Sequence, residues 1–285
     1  REIGSGALRY RIGGEECTAA GGARVVNGVN TYSGDSVVPA SVHCDGRNHR
    51  VTAVDDGAFA GSAVTLVQLP NTVTALGDGA FAGARELRGV TLPLTLTALP
   101  PRALAGTAVQ CVALPEGVTT LGKQALAGCA ALHTLLLPAT LDSIANGALD
   151  GCYNLFEIYT AATAAPALSA AGDVNAVDVI VPDGEAAAAF EDHSVWGDTD
   201  RFAVWPDDAD SWYDITVDDD DDVTALPAAH AVRLGGNVAF RILDHWDNVV
   251  AVTAAPRYYL PQGELPTAYT VVPTVMASDL EPLAY

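Results

Sequence analysis

Side chains able to do chemistry are few in this chain, and their spacing matches no catalytic site. The six histidines, His43, His49, His133, His193, His230 and His245, are scattered, and a lone histidine is ordinarily a surface or satisfied core residue. No G-x-S-x-G, P-loop, H-E-x-x-H or EF-hand pattern occurs, and GSGAL at the start lacks the third glycine of a dinucleotide loop. Asp244, His245 and Asp247 lie close enough to hold a metal, although a polar turn between two strands explains them as well. Five consecutive acids, Asp218 to Asp222, repel one another. A calcium ion on Asp218, Asp220 and Asp222 would relieve that repulsion if the loop folded back to offer six or more oxygens. A solvated hairpin tip is the simpler expectation. No cofactor is expected.

Five cysteines form no C-x-x-C pair. Cys129 and Cys152 hold the same place in consecutive repeats and come within disulfide reach if coils stack about 4.8 Å apart, but buried thiols are the expectation. Cys17 and Cys44 can pair near the N-terminus.

The formal charge is −21, with Lys123 the only lysine. Such a balance repels phosphates and argues against nucleic acid. No apolar run approaches the length of a membrane span, so attachment to a membrane would use an anchor outside this sequence.

What must position these residues is a repeat. Aligned copies read VTAVDDGAFAGS, VTALGDGAFAGA, LTALPPRALAGT, VTTLGKQALAGC and LDSIANGALDGC, spaced 22 or 23 residues apart from Val51 to about Tyr159. A unit that short cannot enclose a core, so each coil buries its apolar face on the next and the chain winds a solenoid. Three interior ladders follow: Val51, Val73, Leu96, Val118, Leu141; Val54, Leu76, Leu99, Leu121, Ile144; and Phe59, Phe81, Leu104, Leu126, Leu149. The apolar stretch before Pro70, Pro93, Pro115 and Pro138 alternates as a strand does, which predicts a parallel sheet across coils. Proline ends each strand because it has no N–H to give.

These motifs resemble the BspA-like leucine-rich repeat proteins of bacterial cell surfaces over residues 30–205. TYSGDSVVPASVHCDGRNHRVTAVDDGAFAG is similar to that family's β-rich N-terminal cap. ATAAPALSAAG with VIVPDGEAAAAFEDHSVW is similar to its closing segment, in which Asp183 caps an alanine-rich helix and Phe190 and Trp196 cover the last coil. Leu replaces the usual Phe in the third to fifth repeats, and Pro100-Pro101 interrupts the third. From Pro206 on, fourteen acids face three arginines and short β-rich runs alternate with turns. This part is similar to the immunoglobulin-like modules of bacterial surface proteins. The expected fold is therefore a leucine-rich repeat solenoid with a parallel β-sheet, followed by a C-terminal all-β immunoglobulin-like sandwich. The expected domains are an N-terminal cap (1–50), repeats with their closing cap (51–205) and the β-module (206–285).

Solenoids bind through the outward residues of their sheet. Three outward columns are predicted: Thr65, Arg88, Gln110, His133, Phe156; Leu66, Gly89, Cys111, Thr134, Glu157; and Gln68, Thr91, Ala113, Leu136, Tyr159. His133, Leu136, Phe156, Glu157 and Tyr159 would gather into a partly aromatic patch, which either binds a foreign ligand or seats another part of this chain. Cys111 would lie on the same face as an accessible thiol. The resemblance implies a non-enzymatic protein of the cell surface or extracellular space that adheres to protein ligands, including host extracellular matrix. A carbohydrate-binding accessory role through C-terminal aromatics such as Trp212 and Trp246, and a structural role in a surface layer or filament, are the alternatives.

Overall fold

The computed structural model describes residues 2–5, 8–12, 23–26, 32–160, 162–168, 177–193, 196, 201–204, 213–217, 223–227, 239–244, 246, 248–253, 257–258 and 270–274. The N-terminal part consists of β1 (Glu2–Ser5), β2 (Leu8–Ile12), β3 (Ala23–Val25), β4 (Ser33–Val37), β5 (Ser41–Cys44) and β6 (Arg47–Val54). β6 carries the chain across residue 51, so cap and first coil share one strand.

Each coil then contributes a strand before its proline and a two-residue strand after it. The first kind comprises β7 (Ala63–Gln68), β9 (Gly89–Thr91), β11 (Cys111–Ala113), β13 (Thr134–Leu137) and β15 (Glu157–Thr160). The second comprises β8 (Ala75–Leu76), β10 (Ala98–Leu99), β12 (Thr120–Leu121), β14 (Ser143–Ile144) and β16 (Ala167–Leu168). All pair parallel, in the orders β4-β7-β9, β11-β13-β15 and β10-β12-β14-β16. The sheets are interrupted between coils two and three, where Pro100 and Pro101 stand. Three backbone bonds of the turns cross that junction instead: Gly79 N–H to Pro101 O, Phe81 N–H to Ala103 O and Gly83 N–H to Ala105 O, at 2.7–2.9 Å.

The three predicted ladders line one continuous core, which also takes in Leu92, Leu114 and Leu137. Only Leu76 among the ladder residues is merely half-buried. Phe59 and Phe81 stack with centroids 5.1 Å apart, and Tyr32 of the cap closes that row against Phe59 at 5.2 Å. At the place that Cys129 and Cys152 share, coils one and three carry Ser62 and Thr107, whose Oγ and Oγ1 donate to the carbonyl three residues back, while Cys129 Sγ and Cys152 Sγ donate to Leu104 O and Leu126 O of the preceding coil. Cys129 is a buried free thiol, not joined to Cys152. Cys17 lies outside the described residues, so the Cys17–Cys44 pairing lies there too.

The far end closes as expected. β17 (Asp178–Val181), α1 (Gly184–Glu191) and β18 (Arg201–Val204) follow, with β17 and β18 extending the sheet parallel to β15. Asp183 Oδ1 accepts from Ala186 N–H at 2.8 Å, capping α1. Phe190 and Trp196 are fully buried edge to face, and Trp196 Nε1–H donates to Pro166 O at 2.7 Å. Beyond them, β19 (Tyr213–Val217), β20 (Val223–Pro227), β21 (Ala239–Leu243), β22 (Val249–Thr253), β23 (Arg257–Tyr258) and β24 (Thr270–Thr274) form two antiparallel three-stranded sheets, β19-β20-β23 and β22-β21-β24. The described segments of the C-terminal part are thus strands and the turn between two of them, in line with the β-rich expectation; the immunoglobulin-like order of its strands is not established by these pairings.

Candidate functional site

Outward columns form in the predicted register: Leu66 beside Gly89, Gln68 beside Thr91, Cys111 beside Thr134 beside Glu157, and Ala113 beside Leu136 beside Tyr159. Two of them are nevertheless not surface. Leu136 and Tyr159 are 0 % and 1 % exposed although neither belongs to the solenoid core, and Gln68, Gly89, Thr91, Cys111, Ala113 and Thr134 are buried as well. The expected patch is corrected accordingly, since Leu136 and Tyr159 cannot meet a partner from solvent.

The cover is visible at its N-terminal side. β22 packs across β9 and β11, Thr253 Oγ1 and Thr91 Oγ1 share a buried hydrogen bond of 2.8 Å, and Asn71 Nδ2 donates to Val250 O at 2.6 Å. Local sequence permits this, because Gly89, Thr91, Cys111 and Ala113 are small and leave a shallow trough for a strand. Cys111 is corrected too: it is buried, and burial pushes its thiol far above the usual range, with the Glu157 carboxylate adding to the effect. A thiol held neutral in this way is a poor nucleophile. Beside it Thr134 Oγ1 is buried without a hydrogen-bond partner among the described residues, and Tyr159 O–H donates to Glu157 Oε2 at 3.2 Å.

The remaining column stays accessible. Backbone bonds from Arg88 N–H to Thr65 O, His133 N–H to Gln110 O and Phe156 N–H to His133 O stack these residues rung on rung. Arg88, Gln110 and Phe156 are exposed, Phe156 to 55 %, and His133 and Glu157 are half-buried. Tyr153, which sequence reasoning passed over, is 85 % exposed in the same coil as Phe156. A large aromatic residue in the linker after the last turn glycine was the available signal.

The other candidates separate. Asp218, Asp220, Asp222 and Trp212 lie outside the described residues, as do His245 and Asp247. Asp244 Oδ1 accepts from Trp246 N–H and Asn248 N–H, both at 2.9 Å, so its carboxylate caps a tight turn. That turn presents Trp246 at 68 % exposure. Among the described residues no group of three or more His, Cys, Asp or Glu side chains could hold a metal, and no helix is long and apolar enough to cross a membrane.

No curated protein matches this chain by sequence. Among solved structures it is similar to a leucine-rich repeat protein of T. pallidum, with 18 % identity over 73 % of this chain and 84 % of that one and a TM-score of 0.47. It is also similar to the pneumococcal vaccine antigen PcpA, at 16 % identity over 63 % and 44 % of the two chains and a TM-score of 0.47. A leucine-rich cell surface protein of Faecalibacterium prausnitzii A2-165 is similar at 19 % identity over 81 % and 59 %, with a TM-score of 0.40. A family match covers the coils themselves in six copies. Residues 52–165, whose coils stack through the ladders described above, match the BspA-type leucine-rich repeat region.

Proposed function

We propose that this chain is a non-enzymatic, secreted or surface-attached bacterial protein that binds a protein partner through the accessible flank of its solenoid. The division into a cap (1–50), closed repeats (51–205) and a β-module (206–285) belongs to the same reading. One observation carries it: with the sheet face covered, the column Arg88, Gln110, His133 and Phe156 is the part of the expected binding surface that solvent reaches. An exposed aromatic ring at the end of a rigid column offers large contact area at little entropic cost. Repeat regions of this type support protein interaction, and adhesion to host extracellular-matrix proteins is its specific form here.

Capture of matrix proteins by the immobilised full chain tests this. Binding to at least one of them should weaken about tenfold or more for Phe156→Ala combined with His133→Ala. Unchanged binding by that variant would remove the site from this flank. The carbohydrate reading rests on Trp246, whose exposed ring is held on a capped turn. Glycan binding lost on Trp246→Ala and indifferent to Phe156→Ala would favour it.

A further inference from the structure

Cys129 and Cys152 hold one place in coils four and five, and the two are not joined in this structure. Backbone bonds from Leu126 N–H to Ala148 O and from Gly128 N–H to Asp150 O keep the two coils in register there. The cysteine Cα atoms therefore stand one rung apart, about 5 Å, inside the range that a disulfide spans. Glycines precede both cysteines, so no side chain holds the coils apart at this step. The approach is tighter here than in the coils before: a Cβ on Gly151 would stand 3.4 Å from Gly128 Cα, against 3.8 Å for Gly128 on Gly106 and for Gly106 on Gly83.

Cys152 Sγ already points at coil four. It donates to Leu126 O at 3.2 Å, the same oxygen that takes the Cys129 N–H at 3.1 Å. Cys129 Sγ points one coil further back, to Leu104 O at 3.0 Å. Ser62 and Thr107 show the other attitude at this place, because their hydroxyls bond the carbonyl three residues back in their own coil. Cys129 turned that way about χ1 sets its Sγ beside Leu126 O, where Cys152 Sγ lies. One coil earlier the same meeting of side chains is realised, with Cys129 Sγ 3.4 Å from Thr107 Oγ1.

We propose that Cys129 and Cys152 form a redox site, an oxidisable pair that a peroxide converts to a disulfide stapling coil five to coil four. Cys152 reacts first, being 5 % exposed where Cys129 is 0 %. Its sulfur attacks one peroxide oxygen, the O–O bond breaks, and the departing hydroxide leaves as water with the thiol proton. Cys129 Sγ then attacks the sulfenic sulfur so formed; the S–O bond breaks, and the hydroxyl departs as a second water with the Cys129 proton. Each sulfur gives up one electron and the peroxide takes both. Burial holds the Cys129 thiol above its usual range, which suits the second and not the first of these attacks. The bond ties together the coils that carry His133 and Phe156, each four residues further on.

Trypsin cuts after Lys123 and Arg201 and nowhere between, so one peptide holds both cysteines and no other. The folded chain is treated with about 1 mM hydrogen peroxide, unfolded, capped with iodoacetamide and digested. That peptide should lose two hydrogens and take up no cap, and dithiothreitol should restore both thiols. Urea unfolding of the oxidised chain should move to higher concentration, the unfolding constant falling about a hundredfold, with near-UV circular dichroism unchanged. Cys129→Ala and Cys152→Ser introduce the residue types that coils two and one carry there, Ala84 and Ser62, and should show neither the mass change nor the urea shift. A peptide that takes up two caps, or gains oxygen at either sulfur, overturns the proposal. So does a bond from either cysteine to another peptide, or an oxidised chain that unfolds at the same or lower urea. A peroxide-induced urea shift retained by either variant equally overturns it.

Discussion

Val90 and Thr91 are neighbours in one strand and both are buried, but for unrelated reasons. Val90 enters the interior that consecutive coils share, whereas Thr91 points the other way and is buried because β22 lies across it. The first burial is repeated in every coil and belongs to a core that no coil can do without. The second involves residues separated by 162 positions in sequence and rests on side-chain hydrogen bonds such as Thr253 to Thr91 and Asn71 to Val250, laid in a trough of small residues. Loss of stability on the core side should therefore be global, and loss on the docked side local.

The strongest way to expose that difference is Phe81→Ala, which removes the ring stacked on Phe59 and should cost about 3–5 kcal/mol in urea denaturation. Gly122→Ala follows, because a Cβ there would stand 2.7 Å from Leu99 O and Pro100 C of the preceding coil. Backbone on both sides cannot yield, and about 1–3 kcal/mol of stability should disappear. On the docked side, Thr91→Val should cost only about 0.5–1.5 kcal/mol. Its signature is faster amide exchange in β22 with exchange at Phe59, Phe81 and the other turn amides bonded to the next coil unchanged; equal acceleration throughout would show that the two faces unfold as one.

Cys111 reports the same docking through its protonation. Its folded pKa lies above the unfolded value, so the thiol's contribution is fully present below about pH 8.5 and is lost as pH rises through the unfolded value toward the folded one. Alkylation by iodoacetamide should be slow in the natural chain and accelerate in Thr91→Arg, where β22 cannot seat. Stability measured from pH 7 to 10 should fall less steeply in Cys111→Ala. The smallest effect concerns strain: Arg102 and Gln124 adopt positive φ, 54° and 56°, where other coils place Gly57, Gly79 and Gly147. Arg102→Gly should raise stability by about 1 kcal/mol, and a loss would mean that the arginine side chain contributes more than its backbone strain costs.

Most of the solenoid was legible. Phe59, Phe81, Leu104, Leu126 and Leu149 recur at a fixed interval, and a fixed interval in sequence becomes a fixed place in each coil. Asp183, Phe190 and Trp196 were legible for a related reason, as a capping residue followed by a short amphipathic turn acts on chain close by. His133, Leu136, Phe156, Glu157 and Tyr159 show the limit. Alternation told correctly that Leu136 and Tyr159 leave the core, but solvent exposure was inferred from that orientation alone. The same inference failed for Cys111. Whether an outward residue meets water or another strand depends on chain far away in sequence, and no local pattern records it.

The order of residues by itself determined the coil, its period and its interior, because these arise from contacts that every repeat makes with the next. Only the tertiary structure decided which outward column remains in solvent and which thiol is held neutral. Those outcomes depend on how caps and C-terminal strands pack around the coils, through single contacts that no repetition announces.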